Sequence, residues 1–361
     1  MKRLDVTVLG CTGLVGRRFV RRLAVHPWFH IAGLAASAHS SGQRYGKLIA
    51  DDSHGLPRRI LSMRVIDTKD TRSLAEKCRL AFSALPRDVA FDIESELRRG
   101  GVMVFSNAAG HRMDEDVPIL IPEVNPDHLE MARRQIHAYG GAIVTNPNCV
   151  TAGLAPALAP LLSLGLKDVN LVTCQALSGA GMSGPRALAM QGNILPFIEG
   201  EEEKISREIR RILGDLEKER LRPLDLKVTA TANRTAVIHG HMLFVTADME
   251  SAVQEERVIE AFDSFNDGAR KTKLPSSPGT FLEVIREPDR PQPRLDVDAG
   301  GPGRGTGMTI TIGRLRFRGT RILFTALIHN LERGAAGGSI LNAELSVCRG
   351  VIPEAPAGGA P

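Results

Sequence analysis

Gly10-Cys11-Thr12-Gly13-Leu14-Val15-Gly16 is the stretch that most narrows what this chain can fold into. It follows a weakly alternating apolar run, Leu4 to Leu9. It precedes a segment with apolar residues at Leu14, Val15, Phe19, Val20 and Leu23 and arginines on the other side. The first pattern has the period of a strand, the second that of an amphipathic helix. Three glycines between them permit a tight turn, a close backbone approach and close helix–strand packing. The alternation continues. Phe29–Ala36 reads as a strand, Thr71–Lys77 as a helix and Leu80–Ala84 as a strand. Asp88–Arg99 follows as a helix, and Val102–Ser106 and Ala142–Thr145 as further strands. Strand–helix alternation of this kind implies a parallel sheet with helices on both faces.

The pattern changes after residue 148. Val169–Gln175, Lys227–Thr231, Thr235–Glu250 and Thr309–Gly313 are β-rich, and charged helices over Glu201–Lys218 and Val253–Phe265 interrupt them. Ile322–Ile328 reads as the last strand and Arg333–Val347 as a final helix. The predicted fold class is α/β. A Rossmann-like parallel-sheet dinucleotide domain spans 1–148, and an α+β second domain with a mixed or antiparallel sheet spans 149–332. A helix at 333–350 returns to the first domain, and a Pro/Gly/Ala tail at 351–361 is expected to be disordered.

Composition removes several function classes. The net charge is +5, the positives are scattered, and aromatics make up 4%, so no basic stripe with stacking rings exists for nucleic acid. Anionic small molecules are the more natural use of the surplus. No apolar run has the length of a membrane span, and the start of the chain lacks a signal-peptide core. The five cysteines are Cys11, Cys78, Cys149, Cys174 and Cys348, an odd number without CxxC or Cys/His spacing. A reducing, cytoplasmic setting and no metal site are expected.

Candidate functional residues cluster at a few segments. Thr12, Gly13, Leu14 and Val15 form the glycine turn. The region Ala35 to Gly42, where an NAD site usually offers a carboxylate for the ribose, holds Ser37, Ser40 and Ser41 instead, which favours NADP. Asn146-Pro147-Asn148-Cys149 places a cysteine between a strand and an Ala/Leu/Pro-rich helix over Thr151–Leu162, where backbone N–H groups and the helix dipole favour thiolate. Alone, it reads equally as a buried apolar cysteine. Gln175, Ser178 and Gly179 lie in a small-residue loop after a strand. Arg234 offers a fork for a carboxylate, and His241 a proton donor and acceptor. His239 shares strand parity with His241 if that strand is regular. Glu201 and Lys204, at i and i+3, share a helix face, which could be a solvated one. Arg112 lies just beyond a strand of the first domain, where ligands gather in open α/β sheets.

Taken together, GCTGLVG, AASAHSSGQRYG, FSALP, SNAAGHRMDEDVPILIPEVN, TNPNC, QALSGAG, NILPFIEGEEEK, IREPDRPQPRLD and HNLERGAAGGSILNAEL resemble aspartate-semialdehyde dehydrogenase, in the branch typical of archaea and fungi. The resemblance runs from about Leu4 to Val347. It implies Cys149 as nucleophile, His241 as acid/base and Gln175 as the residue positioning a thioester. It implies Arg234 for the substrate carboxylate, Glu201 for its ammonium, and Arg112 and Lys204 for phosphate. The glycine turn, the Ser37–Ser41 loop, Ser178-Gly179 and Asn330 would surround NADP. Implied partners are L-aspartate 4-semialdehyde, L-aspartyl 4-phosphate, inorganic phosphate and a second copy, as homodimer or homotetramer. The implied reaction serves lysine, threonine and methionine biosynthesis. Two departures stand out. The family's CNR…DGHTE reads ANR…HGHML here, and His39 stands where an arginine is common. HGH also resembles malonyl-CoA reductase, which reduces a CoA thioester. A non-catalytic NADP-binding redox regulator is the alternative from another class.

Overall fold

The computed structural model describes residues 3–182, 184, 187–218 and 220–352. They form two compact units. One holds the described residues up to Leu120, Asp127–Asn146 and those from Asn342 onward; the other holds Ile121–Pro126 and Pro147–Leu341. Of the tail expected over 351–361, Val351 is buried and donates its N–H to the Ser346 carbonyl at 2.9 Å, so it belongs to the fold, while Pro353–Pro361 lie outside the described residues.

The first unit is built on six strands: β1 (Leu4–Leu9), β2 (Phe29–Ala36), β3 (Ile66–Asp67), β4 (Leu80–Ser83), β5 (Met103–Ser106) and β6 (Ala142–Thr145). All neighbours run parallel, in the order β3-β2-β1-β4-β5-β6. Parallel neighbours need crossovers; helices α1 (Leu14–Ala24), α2 (Thr71–Lys77), α3 (Arg87–Arg99) and α4 (Glu130–Tyr139) supply them. Strands β4, β5 and β6 are buried at every residue, as their near-continuous apolar runs require when both faces are covered. Leu9, Ile93, Leu97, Val104 and Ile143 pack into one core. The strand order reverses at β1, and the glycine turn follows that strand, at the crevice where such sheets take ligands.

The second unit opens with α5 (Thr151–Leu162), which stays helical through Pro156 and Pro160 and is buried along most of its length. Then come β7 (Leu166–Gln175), β8 (Ile194–Leu195), α6 (Glu201–Ile212), and a ribbon of β9 (Asp215–Glu217) and β10 (Arg220–Arg222). Strands β11 (Lys227–Thr235) and β12 (His241–Met249), helix α7 (Glu255–Arg270), and β13 (Leu282–Val284), β14 (Ile310–Arg318) and β15 (Arg321–Ile328) follow. Helix α8 (Gly337–Cys348) closes the fold. The seven-stranded sheet runs β13-β14-β15-β12-β7-β11-β8 and is mixed: β7 pairs parallel with β11 and antiparallel with β12. On β7, Val169, Leu171 and Thr173 point inward while Asn170 and Val172 are exposed, the alternation of a sheet covered on one face. Gly153 lets α5 approach that covered face: a Cβ there would stand 3.1 Å from Ile328.

Two expected elements differ. The run Thr235–Glu250 is not one strand. It breaks after Thr235, and the chain crosses the end of β7 through Ala236–Gly240, with Gly240 at φ +97°. The crossing is forced, because β11 and β12 lie on opposite sides of β7 and run in opposite directions. Leu177 and Ser178 tie it down by donating backbone bonds to Val237 and Ile238 at 2.7 and 3.2 Å. The helix expected over Glu201–Lys218 stops at Ile212. At Gly214 a Cβ would stand 2.3 Å from the Arg222 carbonyl, so the chain leaves the helix to form the ribbon. Among the described residues no helix is long and apolar enough to cross a membrane, and no group of His, Cys, Asp and Glu is arranged to hold a metal.

Candidate active site

Cys149 stands in the four residues that join Asn146 to α5. The turn around it is held by side chains. Asn148 Oδ1 accepts the Val150 N–H at 2.8 Å, a local loop closure of the kind Asn forms readily. Asn148 Nδ2 donates to both oxygens of Glu201, at 3.0 and 3.1 Å. A Cβ at Gly334 would lie 3.0 Å from Cys149 Cβ, so a glycine there lets the backbone pass behind the cysteine.

His241, the first residue of β12, places Nε2 at 3.1 Å from Cys149 Sγ. Its other nitrogen, Nδ1, accepts the Ala176 backbone N–H at 3.0 Å. A neutral ring whose Nδ1 accepts must carry its hydrogen on Nε2, facing the sulfur. The ring is wholly buried, and its pKa is pushed down to about 3, first by burial and then by the charges of Arg234 and His329. Any imidazolium formed there is therefore a strong acid.

The end of β7 brings in the next pair. Gln175 donates from Nε2 to Glu201 Oε1 at 3.0 Å. Arg234, near the end of the neighbouring β11, donates from Nη1 to the Ala176 carbonyl at 2.8 Å. Burial lowers the Arg234 pKa, while Cys149 and Glu201 act in the opposite sense. Guanidinium remains charged in proteins, so a buried positive fork sits within electrostatic reach of a sulfur and a carboxylate. Gly179 closes this side. A Cβ there would stand 2.9 Å from Arg234 Nη1 and 2.9 Å from His241 Cε1.

The acidic start of α6 is not a solvated face. Glu201 is 6% exposed, and Glu202 accepts the Ala232 N–H at 2.9 Å; Glu203 alone points outward. Lys204 is half-buried one turn after Glu201. Ser178 and Asn330 also meet: Asn330 Nδ2 donates to Ser178 Oγ at 2.9 Å, and Asn330 Oδ1 accepts the Gly240 N–H at 3.0 Å. His239 is on the crossing rather than on a strand with His241. Its Nδ1 lies 2.9 Å from Ser178 Oγ, and its ring stacks on His329 with centroids 5.3 Å apart.

The first unit keeps its own candidates. Gly10 has φ +72°, and a Cβ at Gly16 would fall 2.0 Å from the Gly10 carbonyl, so those two glycines serve the turn and its packing. Gly13 is different. A Cβ there would meet only the Gly10 carbonyl, at 3.6 Å, and Gly13 caps α1 without a side-chain bond. It leaves room in front of the first-turn amides of Leu14 and Val15, a cradle that fits a pyrophosphate. Thr12 holds Arg17, whose Nε donates to its carbonyl at 2.9 Å. The Ser37–Ser41 loop is a turn closed by Ser40 and Ser41 N–H groups on the Ser37 carbonyl at 2.9 and 3.2 Å. Ser37 and Ser41 are exposed and Ser40 is buried. This loop offers no carboxylate to repel a 2′-phosphate. Arg112 is 7% exposed and donates to the carbonyls of Asn146 and Asn107 at 3.0 and 2.8 Å.

Cys149, His241, Gln175, Arg234, Glu201, Gly179, Ser178 and Asn330 thus come from five separate stretches of sequence into one connected set in the second unit. Two members were missed. Asn148 was readable as an Asx-turn residue before a helix. Glu208 was readable seven positions after Glu201, on the same face of α6.

The semialdehyde dehydrogenase NAD-binding domain model matches residues 5–132, and the semialdehyde dehydrogenase dimerisation domain model matches residues 158–333. An aspartate-semialdehyde dehydrogenase of Archaeoglobus fulgidus is 42% identical over 357 residues, covering 97% of this chain and 100% of its own. A malonyl-CoA reductase (NADP) of Metallosphaera sedula is 36% identical over 358 residues, covering 97% of this chain and 99% of its own. The crystal structure of aspartate semialdehyde dehydrogenase with NADP from Candida albicans has a TM-score of 0.86 and 33% identity, covering 97% of this chain and 100% of that one.

Proposed function

The chain belongs to the aspartate-semialdehyde dehydrogenase family, and from that premise we propose that it interconverts L-aspartyl 4-phosphate and L-aspartate 4-semialdehyde through a thioester on Cys149. The observation that carries this reading is the 3.1 Å contact of Cys149 Sγ with His241 Nε2 beside a buried arginine and a buried carboxylate. In the reductive direction the sulfur attacks the acyl carbon, phosphate leaves, and the thioester remains; splitting one hard displacement into two easier steps is the gain from a covalent nucleophile. NADPH, when bound, supplies the hydride that reduces this thioester. The thiohemiacetal then collapses to aldehyde and thiolate. His241 is the acid/base, and all its proton traffic passes through Nε2, since Nδ1 is occupied by Ala176. Gln175 holds the thioester carbonyl in place.

Arg234 takes the substrate α-carboxylate as a two-pronged donor, and Glu201 takes its ammonium. Asn148 and Gln175 already orient that carboxylate. Lys204 neutralises phosphate on this unit, and Arg112 is the first unit's own anion-binding arginine. Thr12, Gly13, Leu14 and Val15 cradle the pyrophosphate of NADP, and Ser37, Ser40 and Ser41 receive its 2′-phosphate. Ser178, Gly179 and Asn330 are reserved for the nicotinamide. A second copy of the chain covers the open face of the mixed sheet as a homodimer. In support, Val172 and Phe244 are 44% and 41% exposed there, in a shallow groove of about 410 Å³ rimmed by Thr229, Thr231 and Thr246. None of the five cysteines is in a disulfide, which suits a cytoplasmic enzyme.

Glu201 favours the amino-acid substrate over a CoA thioester, which has no ammonium to place. The test is phosphate-dependent reduction of NADP⁺ by L-aspartate 4-semialdehyde beside malonyl-CoA-dependent oxidation of NADPH. Activity in the first assay alone supports this reading. Activity in the second alone replaces the substrate and keeps the thioester. Activity in neither, with NADPH bound, supports a cofactor-binding regulator.

A further inference from the structure

Glu208 is 1% exposed, and none of the steps above uses it. It lies on α6 seven residues after Glu201, so both carboxylates leave the same face of that helix. Glu208 Oε2 accepts the Asn148 N–H at 2.7 Å and lies 2.7 Å from Thr151 Oγ. Thr151 Oγ is also 2.9 Å from the Asn148 carbonyl. These residues bracket Cys149 on both sides. Together with the Glu201–Asn148 bonds, they pin the turn bearing the sulfur to α6 at three points.

We propose that Glu208 is a positioning residue for Cys149, setting the Asn148–Thr151 turn so that Sγ stands opposite His241 Nε2. A local capping side chain could satisfy the amides at a helix start by itself. Here the cap comes from 60 residues away in sequence, on the helix that carries Glu201. The nucleophile and the substrate-ammonium carboxylate are thereby fixed to one rigid rod. Their separation does not depend on the intervening loops. A buried amide left without its acceptor moves to find another, and a displacement of about 1 Å in a reacting group can cost about 10²-fold in rate.

The inference rests on Cys149 being the nucleophile, so Cys149→Ala is run beside it. The test uses the full-length enzyme with Glu208→Ala, Glu208→Gln and Thr151→Val. It reads kcat and KM for aspartate semialdehyde, NADPH binding by fluorescence, and the iodoacetamide alkylation rate at the Cys149 peptide by mass spectrometry. Glu208→Ala should lower kcat about 30- to 100-fold per folded molecule, with KM and NADPH binding within about threefold. Alkylation of Cys149 should slow by about tenfold or more. Glu208→Gln, whose amide oxygen can still accept the Asn148 N–H, should recover most of the lost rate. Thr151→Val should cost about 3- to 10-fold in kcat. A purely structural role would lower the melting temperature without moving kcat or the alkylation rate, and that result overturns the proposal. If Glu208→Ala does not fold, an unchanged kcat in Thr151→Val overturns it instead. An active Cys149→Ala would sink the thioester reading and this inference with it, whereas an inactive Cys149→Ala beside a fully active Glu208→Ala would sink this inference alone.

Discussion

Gly179→Ala is the sharpest test of the site geometry. The added Cβ would stand 2.9 Å from Arg234 Nη1, 2.9 Å from His241 Cε1 and 3.0 Å from His241 Nε2. Ordinary heavy-atom contacts begin near 3.5 Å, so the ring and the guanidinium must each retreat by about 0.5–0.7 Å, or the 177–180 turn must lift by as much. Neither side chain is a loose end. His241 is held through Nδ1 at 3.0 Å and Arg234 through Nη1 at 2.8 Å, both by the backbone of Ala176. A retreat of that size changes the 3.1 Å dyad distance by up to about 0.7 Å and turns the ring away from its alignment with the sulfur. A misplacement approaching 1 Å predicts a fall in kcat of about 30- to 100-fold, or about 2 to 2.7 kcal/mol of barrier. Stability should fall slightly. The backbone of Gly179 is outside the left-handed region, so alanine is conformationally acceptable and stiffens the unfolded chain by about 0.4–1 kcal/mol, but relieving the overlap costs about 1–3 kcal/mol. The assay is phosphate-dependent NADP⁺ reduction, with alkylation of Cys149 measured without NADP to isolate the dyad from the cofactor. A variant with a normal melting temperature and kcat within threefold of wild type would refute the steric argument.

Cys149→Ala should reduce turnover by about 10⁴-fold or more and leave the NADPH fluorescence titration unchanged; measurable turnover would remove the nucleophile. Glu201→Gln should raise KM for aspartate semialdehyde about tenfold or more, because a charge-assisted bond to the ammonium is lost, with NADP binding unaltered. An unchanged KM would move ammonium recognition elsewhere. His241 should add to acid sensitivity of folding. Its pKa is about 3 when buried and about 6.5 when unfolded, so its contribution is complete above pH 6.5 and is lost as pH falls toward 3. Between pH 6.5 and 5 the loss is about 2 kcal/mol, and urea unfolding of His241→Gln should lack it. Equal losses in variant and wild type would contradict the burial of a neutral ring.

The parallel sheet was legible because β4, β5 and β6 are buried at every residue and read as apolar runs, and because β1 ends at the glycine turn. Helix α5 was legible despite Pro156 and Pro160, since its neighbours are apolar all round. The break between β11 and β12 was not. Thr235 to Glu250 is β-rich on both sides of Gly240, a lone glycine that reads equally as a bulge, and the non-local pairing of β7 with both partners imposes the crossing. Arg234 and His241 likewise lie on two different strands, β11 and β12. Their proximity comes from sheet order, which periodicity does not encode. The Glu201 run looked like a solvated face because its partners, Asn148 and Gln175, are 53 and 26 residues away. Burial of a charged residue shows in sequence only when the acceptor and its donors are close.

The chain passes between its two units more than once, and the last passage has a consequence for synthesis. His26, in the first unit, finds its carboxylate partner in Glu344, 318 residues later, with both side chains fully buried. At about 5–20 residues per second a ribosome needs about 20 to 60 s to cover that distance. Through that interval the nascent first unit has an open seat where α8 belongs. Its sheet is complete by Thr145, yet its core is not. The usual expectation that an N-terminal domain folds first and waits for the next is therefore reversed here. The nascent chain depends on its final helix, and a premature stop anywhere before Asn342 should damage the first unit as surely as the second.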